Sequence, residues 1–559
     1  MQLRIALIFV VCALCALHTV KAKPANQVIS GSQVGLDVYC ALCSAAVGTV
    51  KDMLKWGMSR EAIAKHLLSL CEILHLEKEI VCKGLISEFK VEFITALNGS
   101  KLSDAEDCVL VAGNICSGAA HDPPLAWSVK LPNIPKPSPS NHTPAKGAPK
   151  LRILQLADIH LDSLYTPGSS TNCGLPLCCQ STSGRPSNTT EGAGYWGSLH
   201  GPCDVPERTI DNLFAHLSKN ERFDMIYWTG DLPAHDIWQQ SREQQLSLLK
   251  RLTDKLLKYF PNIPIYSSVG NHESFPADSY PPPYVTGNQS ESWLYDTLAQ
   301  TWSHWLPAST METIKYGGFY TVLVKPGFRI ISLNTNFCER QNFWLLLNVT
   351  DPAHELQWLV SVLQSAELNG EKVHLLGHVP PGVDDCIRVW SENLNKIIVR
   401  YSNTIAGYFL AHTHQDEFEL FYDPSSKQPV AIGYLSPSVT TFIGLNPGYR
   451  IYTVDGFYDN STWGVLDHET KILNLTRANT ENITIWQHEY FAKADYQLAD
   501  LSPRSWHDFT LRLASDDDLF QSFYKYYKKM GAGLECDQAC RKERICALRT
   551  STSGDKTYC

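Results

Sequence analysis

The sequence has no excess of basic residues and, beyond its first 22 residues, no apolar run long enough to cross a membrane. Its 57 acidic residues outnumber its 48 lysines and arginines, which argues against a nucleic-acid-binding protein, because such proteins present basic surfaces. With 44 % hydrophobic and 19 % charged residues the composition is globular, which excludes wholesale disorder, collagen and a coiled coil. A length of 559 residues predicts about three domains.

Residues 1–22 are predicted to be a secretory signal peptide. Arg4 supplies the positive start, residues 5–17 form an unbroken apolar run, and Val20 and Ala22 are small residues at the cleavage positions. A membrane anchor is the alternative, but the run is shorter than the ~20 residues that span a bilayer. Asn-x-Ser/Thr sequons also predict a glycosylated product, lysosomal or secreted: Asn98, Asn141, Asn188, Asn288, Asn348, Asn460, Asn474 and Asn482.

The cysteine content predicts a disulfide-bonded protein. The chain has 18 cysteines, and removal of the signal peptide takes away Cys12 and Cys15, which leaves an even number. The same removal takes Arg4 and Lys21 and lowers the net charge at pH 7 from −9 to −11. Protonation of histidines outside the candidate metal site would carry this charge to about +3 as the pH falls through ~6.5. We therefore expect attraction to anionic membranes in an acidic compartment.

Residues 37–118 are predicted to form a small helical domain with six cysteines. Apolar residues recur at spacings of three and four along residues 47–54, 63–74 and 89–97. A zinc site at Cys40-x₂-Cys43 is the alternative, but the oxidising compartment and the absence of a second close pair favour disulfides. Six cysteines allow fifteen pairings, and their spacing does not choose among them. The pattern resembles the saposin B-type domain, a lipid-interacting helical module.

Residues 119–150 are predicted to be a semi-rigid linker that lets its neighbours move, because eight prolines occur between residues 122 and 149. From residue 151 to residue 489, short apolar runs alternate with helical stretches, which indicates an α/β domain. Residues 490–559 are predicted to be a helical, disulfide-bonded region. Its aromatic residues at helical spacing are expected to pack in a core: Phe520, Phe523, Tyr524, Tyr526 and Tyr527.

Five apolar runs of the α/β domain are each followed by metal-binding residue types. The runs are residues 151–156, 225–228, 263–269, 373–376 and 404–410. They precede, in order, Asp158-x-His160, Gly230-Asp231, Gly270-Asn271-His272-Glu273, Gly377-His378 and Ala411-His412-x-His414. Carboxylates, imidazoles and amides are ligands of zinc, manganese and iron. Strand carboxyl ends meet in one crevice, and alternate residues of an extended strand point the same way, so these side chains are expected to converge.

The order of these motifs resembles the metallophosphoesterase superfamily, with Ala411 as a departure because glycine is usual there. The resemblance implies an α/β (α+β) two-sheet sandwich flanked by helices, with two metal ions. It implies one site of Asp158, His160, Asp231 and His414, and another of Asp231, Asn271, His378 and His412. Asp231 would bridge two ions ~3.5–4 Å apart, which suits in-line displacement at phosphorus. The donor types fit zinc best among common secretory metals, without excluding manganese or iron.

Two histidines are candidates for the general acid that protonates the leaving oxygen. His272 is the first, because it adjoins Asn271 and is not itself in the implied ligand set. His235, four residues after Asp231, is the second; the alternative is that it only orients the phosphate or a ligand. Purple acid phosphatases usually carry a tyrosine ligand where this chain has Ala234, which disfavours a tyrosinate–iron centre.

Residues 230–238 resemble the acid sphingomyelinase family, as do the cysteines of residues 173–203 and the sequence of saposin-like domain, linker and α/β domain. The resemblance implies these disulfides: Cys40–Cys116, Cys43–Cys108, Cys71–Cys82, Cys173–Cys178, Cys179–Cys203, Cys338–Cys386, Cys536–Cys540 and Cys546–Cys559. It further implies hydrolysis of sphingomyelin, in membranes or lipoproteins, to ceramide and phosphocholine with two Zn²⁺ per chain. We expect a monomer that meets anionic membranes through the saposin-like domain.

Two alternatives stay open at this point. One is a relative that hydrolyses nucleotides or other soluble phosphodiesters and uses its saposin-like domain only for docking. The other is a saposin-type lipid-transfer protein with a vestigial metal site, against which the intact set of metal-binding residues argues.

Overall fold

The computed structural model describes residues 33–113, 116, 127–138, 143–144, 146–188 and 192–559, with side chains from residue 40 onward. The predicted signal segment and the sequon at Asn141 lie outside these residues. Within them, no helix combines the length and apolar character that a membrane crossing requires. Of the other seven sequon asparagines, five are exposed and two, Asn348 and Asn474, are half-buried, so all seven reach the surface.

Four helices form an N-terminal helical unit: α1 (Gln33–Lys55), α2 (Arg60–Ile73), α3 (Glu79–Gly99) and α4 (Asp104–Ala112). Ser59 and Ser103 begin α2 and α4, since each side chain accepts a hydrogen bond from a backbone N–H of the first turn. Three disulfides link the helices: Cys40–Cys116, Cys43–Cys108 and Cys71–Cys82. A core this small gains stability from such links.

Two six-stranded sheets form the α/β body of the described chain. The strands are β1 (Lys150–Leu156), β2 (Met225–Trp228), β3 (Ile265–Ser267), β4 (Tyr320–Lys325), β5 (Phe328–Ser332), β6 (Lys372–Leu376), β7 (Ile405–Leu410), β8 (Glu417–Tyr422), β9 (Pro429–Leu435), β10 (Gly448–Asp455), β11 (Val465–Leu473) and β12 (Trp486–Phe491). The first sheet has the order β12-β11-β10-β1-β2-β3, and the second β4-β5-β6-β7-β9-β8. The predicted two-sheet α/β architecture is therefore confirmed.

The two sheets stack face to face. The rings of Tyr227 on β2 and Phe409 on β7 lie 5.0 Å apart, and the Ser332 hydroxyl on β5 donates to the Ser267 carbonyl on β3. Strands β1, β2 and β3 are parallel, as are β5, β6, β7 and β9. The five predicted apolar runs are β1, β2, β3, β6 and β7. The residues after their carboxyl ends come together at one edge of the sandwich.

Helices flank the two sheets. They are α5 (Glu207–Asn220), α6 (Arg242–Tyr259), α7 (Ser292–Trp302), α8 (Met311–Gly317), α9 (Glu355–Leu368), α10 (Arg388–Tyr401), α11 (Leu475–Glu481) and α12 (Ala492–Asp495). Their apolar stripes face inward, as in α5, where Ile210, Leu213 and Leu217 are fully buried.

The C-terminal region is helical, with α13 (Pro503–Ser515), α14 (Asp517–Tyr527) and α15 (Gln538–Leu548). Its predicted aromatic core is confirmed: Phe520, Phe523, Tyr524 and Tyr527 are buried and Tyr526 is half-buried. Strand β12 extends the sheet two residues past the predicted boundary at residue 489. The remaining disulfides are the implied pairs: Cys173–Cys178, Cys179–Cys203, Cys338–Cys386, Cys536–Cys540 and Cys546–Cys559.

The described part of the proline-rich linker, residues 127–138, is fixed to the α/β body. The backbone N–H of Val129 donates to Asn393 on α10 at 2.8 Å, and the Lys136 ammonium donates to the Val399 carbonyl at 2.8 Å. The expectation of a spacer that lets its neighbours move is therefore wrong for this segment. Proline-rich composition predicted an extended chain, but not the hydrogen bonds that hold it.

The N-terminal helical unit packs directly on the α/β body through α3. The Phe93 ring meets the Phe343 ring edge-on at 5.1 Å between centroids. Gly84 approaches the body so closely that a Cβ there would lie 2.0 Å from the Trp238 carbonyl oxygen. Only glycine permits this approach.

Glu92 on α3 should make stability depend on pH, because it is buried at this contact with 3 % of its surface exposed. Burial raises its pKa to about 8, and nearby Asp278 adds to the rise. The stabilisation from its neutral form is complete below pH ~4.5, the ordinary pKa, and is lost as the pH rises through about 8. We expect Glu92→Gln to raise the free energy of unfolding at pH 8 by up to ~5 kcal/mol, with little change at pH 4.5.

Urea unfolding at the two pH values measures this effect. Glu79→Gln, an exposed change on the same helix, serves as the control. Equal pH dependence in the Glu92 variant and the wild type would contradict the prediction.

Candidate active site

The candidate ligands of the two paired motifs adopt left-handed backbone conformations just after their strands end. Asp158 and His160 come after β1 with φ of 49° and 42°, and His412 and His414 come after β7 with φ of 76° and 67°. The expectation that each pair is extended is therefore wrong, although both members still face the site. Left-handed conformations are costly for residues other than glycine and cluster at functional sites.

Asp231 lies at the centre of the site, in the turn after β2. Its Oδ2 is 3.4 Å from Nε2 of His160 and 3.1 Å from Nε2 of His378. Glu273 holds this turn by accepting hydrogen bonds from backbone N–H groups, including those of Asp231 and Leu232. The carboxylate of Asp231 is thus placed between imidazoles from the two sheets.

One cluster of donors forms around Asn271, in the turn after β3. Its Oδ1 is 3.0 Å from Nε2 of His378 and 3.0 Å from Nδ1 of His412. The amide orientation is set by Asp278, whose Oδ1 accepts from the Asn271 Nδ2 group at 2.8 Å. The oxygen of the amide therefore points at the two imidazoles.

A second cluster forms between β1 and β7. Nε2 of His414 is 3.1 Å from Nε2 of His160 and 3.8 Å from Oδ1 of Asp158. That Oδ1 also accepts the backbone N–H of His412. Oδ2 of Asp158 is buried and accepts no hydrogen bond from any residue that the structure describes. A buried carboxylate oxygen without a hydrogen-bond donor is unfavourable unless a cation binds it.

The hydrogen bonds of two imidazoles make the site fit cations. Nδ1 of His160 lies 2.7 Å from the Pro233 carbonyl, and Nδ1 of His378 lies 2.6 Å from the Thr229 carbonyl. Because a carbonyl oxygen can only accept, each Nδ1 carries the hydrogen of the neutral ring, and each Nε2 presents a lone pair. Those lone pairs face oxygen acceptors and another imidazole, an arrangement that a metal ion satisfies.

The electrostatics of the site also favour positive charge. Burial lowers the pKa of His160 and of His378, but nearby carboxylates, above all Asp231, raise both to about 9, so a cation at Nε2 replaces a proton that these rings would otherwise hold. Three sets of side chains bring potential ligand atoms within 4.8 Å of one another: His160–His235–His414, His160–Asp231–His272 and Asp231–His378–His412. These sets contain seven of the nine predicted site residues, and Asp158 and Asn271 join them through His414 and His378, so all nine lie in one buried constellation.

Comparison with known proteins agrees with this geometry. The calcineurin-like phosphoesterase family matches residues 151–416, and the acid sphingomyelin phosphodiesterase C-terminal region matches residues 428–559. The sphingomyelin phosphodiesterase of Bos taurus is 44 % identical over 527 residues, covering 94 % of this chain and 84 % of that protein. This chain belongs to the sphingomyelin phosphodiesterase family. The family that the motifs predicted is thereby confirmed.

Other relatives broaden the family. Sphingomyelin phosphodiesterase 2 of Caenorhabditis elegans is 35 % identical over 93 % of this chain and 88 % of that protein. A cyclic GMP-AMP phosphodiesterase of Mus musculus is 32 % identical over 76 % of this chain and 93 % of that protein. Proteins named for different substrates therefore align with most of this sequence.

The two candidate proton donors of this family member lie side by side. The His235 ring stacks between His160 and Phe442, with centroids 4.0 Å and 3.8 Å away. Its Nδ1 is 2.9 Å from Oδ1 of Asp204, so its Nε2 is the nitrogen left for a ligand. The His272 ring centroid lies 4.8 Å from that of His235. Nδ1 of His272 has no hydrogen-bond partner in the described part of the chain.

Burial lowers the pKa of both rings, although the charge of Asp204 partly opposes this for His235. Burial raises the pKa of the Asp204 carboxyl, but the nearby His235 lowers it by a larger amount, so the net shift is downward. The His235–Asp204 pair is thus favoured with the carboxylate ionised.

Three carboxylates that shape the site were not predicted. Glu273 ends the motif that contains Asn271 and His272, and its carboxylate accepts the backbone N–H groups of the turn at Asp231. Asp204 and Asp385 follow no strand; each adjoins a disulfide cysteine, Cys203 or Cys386. A neighbouring disulfide indicates a rigid backbone at each aspartate, but the sequence does not indicate which histidine each carboxylate contacts.

Proposed function

We propose that this chain hydrolyses the phosphodiester of sphingomyelin to ceramide and phosphocholine. The observation that carries the proposal is the position of Asp231 between the donor cluster of His160 and that of His378. The 44 % identity to a sphingomyelin phosphodiesterase over 94 % of the chain supports sphingomyelin as the substrate.

Two zinc ions are proposed as the cofactors. Asp158, His160, Asp231 and His414 would hold one ion, and Asp231, Asn271, His378 and His412 the other. When bound, such a pair neutralises charge on phosphoryl oxygens and acidifies water. The orphaned Oδ2 of Asp158 and the lone pairs of His160 and His378 support two cation positions that share Asp231.

His272 is proposed to protonate the leaving oxygen. Attack of a water oxygen on phosphorus breaks the bond to the ceramide oxygen, which leaves with a proton from the His272 imidazolium, and the proton that the water gives up restores that imidazolium. His235 would bind a phosphoryl oxygen as the protonated ring, which the ionised Asp204 and the anionic substrate both favour, with Nδ1 donating to Asp204 and Nε2 donating to the phosphoryl oxygen. The backbone N–H of His272 donates to Oδ1 of Asp231 at 3.0 Å, which ties the donor to the centre of the site.

The N-terminal helical unit is proposed to be a saposin B-type domain that docks on anionic membranes. Its disulfide pairs and exposed apolar side chains support this role; Trp56, Ile73 and Ile80 are 78 %, 70 % and 55 % exposed. Eight disulfides and the sequons support a product of the secretory pathway, lysosomal or secreted, and a monomer is part of the proposal.

Trp56→Ser should separate membrane docking from chemistry. We expect hydrolysis of sphingomyelin in anionic vesicles to fall about 10- to 100-fold, since removal of an exposed indole costs ~1.5–3 kcal/mol of membrane contact. Hydrolysis of a soluble nitrophenyl phosphodiester should be unchanged. Leu368→Ser, at an apolar side chain 73 % exposed on the body, is the matched control. Equal losses on both substrates would contradict the prediction.

The proposed function is tested with the full-length, glycosylated chain. Sphingomyelin vesicles and a cyclic dinucleotide are supplied at equal phosphodiester concentration, and mass spectrometry identifies the products. Release of ceramide and phosphocholine in preference to nucleotide products is expected. Preference for the nucleotide, or binding of lipid with no hydrolysis of either, would overturn the proposal.

A further inference from the structure

We propose that Asp385 is a positioning residue for His412, and that it sets the imidazole so that Nδ1 faces the metal site shared with Asn271. This inference rests on the metal centre of the proposed function. It concerns a loop residue that lies outside the motifs of the strand ends.

The two nitrogens of His412 have different surroundings. Nδ1 is 3.0 Å from Oδ1 of Asn271, and Nε2 is 3.2 Å from Oδ2 of Asp385. An ionised carboxylate only accepts, so the hydrogen of the neutral ring is on Nε2 and the lone pair is on Nδ1. His160 and His378 show the opposite arrangement, because their Nδ1 atoms meet backbone carbonyls. The orientation of the His412 imidazole therefore depends on a side-chain carboxylate, whereas the orientations of His160 and His378 depend on backbone carbonyls.

The loop that carries Asp385 is built to hold it there. The backbone N–H of Arg340 donates to the Asp385 carbonyl at 2.7 Å, and the Arg340 guanidinium donates to the neighbouring Asp384 carbonyl. The next residue, Cys386, is bonded to Cys338. These hydrogen bonds and this disulfide hold the backbone of Asp385, and the short Asp385 side chain has little freedom to leave the His412 ring.

A second acidic side chain lies near the outer side of the His412 ring. Glu339, next to Cys338, is fully buried, and its Oε2 lies 3.9 Å from Nε2 of His412. That distance is too long for a hydrogen bond, so of the two acidic side chains Asp385 is the one that accepts from Nε2. The Cys338–Cys386 bond therefore joins the two segments whose carboxylates flank this nitrogen.

A carboxylate on the outer nitrogen of a metal-binding imidazole fixes the tautomer and makes the inner nitrogen more basic. Loss of such a partner usually costs 10- to 100-fold in metal affinity or activity. We expect that loss at the ion held with Asn271, His378 and His412, and not at the ion held with His160 and His414.

The test measures metal retention by the full-length protein loaded with zinc, against a graded series of a competing chelator. Asp385→Ala should release one of two ions at about 10- to 100-fold lower chelator concentration than the wild type. Asp385→Asn should show a smaller loss, because its amide oxygen can still accept from Nε2. Asp384→Asn removes a neighbouring charge and should behave as the wild type.

The unfolding temperature of the metal-free proteins separates positioning from loop stability. Equal values for Asp385→Ala and the wild type are expected, and a lower value for the variant would make Asp385 a structural residue and overturn the inference. Retention of both ions by Asp385→Ala would also overturn it. A wild type that holds two ions but does not cleave sphingomyelin would overturn the proposed substrate alone. A wild type that holds fewer than two ions would overturn the inference and the proposed pair of metal ions.

Discussion

Asp231→Ala is expected to abolish binding of both metal ions and to lower turnover of sphingomyelin by about 10⁴-fold or more. Its carboxylate touches imidazoles of both clusters, so its removal leaves two groups of donors with no shared anion. Metal ions that stabilise phosphoryl charge contribute several kcal/mol, and ~5.4 kcal/mol corresponds to 10⁴-fold. Elemental analysis of the purified protein and a phosphocholine-release assay give the two values.

The matched control lies near the other end of the same strand. Asp224 precedes β2 and its carboxylate accepts the backbone N–H of Arg152 at 2.7 Å, far from the candidate ligands. Asp224→Asn should keep both ions and normal turnover. An Asp231→Ala protein that still holds two ions would refute the central position of this carboxylate.

His272→Ala is expected to lose ~10²–10⁴-fold in sphingomyelin turnover while its metal content stays unchanged. The loss should shrink to less than about tenfold on a phosphocholine ester of nitrophenol. Nitrophenolate leaves without a proton, whereas the alkoxide of ceramide requires one, so only the natural substrate needs the acid. Steady-state rates on the two substrates, measured beside metal content, test the role.

His235→Ala discriminates between the two rings. If His235 binds phosphate, as its bond to Asp204 suggests, its removal should slow both substrates to a similar degree. His304→Ala, at an exposed ring on the surface, is the control. A leaving-group dependence in the His235 variant but not in the His272 variant would reverse the assignment.

The strand ends could be predicted from the sequence because each run is short, apolar and followed at once by a polar ligand type. Asp158, Asp231 and His378 were placed in this way, and the structure brings them into one crevice. The periodic pattern of residues 47–97 likewise predicted α1, α2 and α3. Short-range patterns succeed here because burial of a strand or of one helix face is imposed locally.

Contacts between distant segments could not be predicted in the same way. The pairing of His412 with Asp385 joins two loops that have no periodicity, and nothing in their spacing encodes the hydrogen bond. The left-handed φ of His412 and His414 replaced the extended geometry that the alternating pattern indicated. The attachment of residues 127–138 to α10 depends on side chains such as Asn393 that read as ordinary helix surface.

The close approach at Gly84 bears on how this architecture could be recombined. Trp238, whose carbonyl oxygen leaves no room for a Cβ at position 84, is three residues from His235. A foreign helical unit grafted onto this body would have to bring its own glycine to that point, or displace the segment that carries His235. The N-terminal helical unit and the α/β body therefore cannot be exchanged independently. A chimaera without that glycine would lose catalytic activity as well as the packing of the two units.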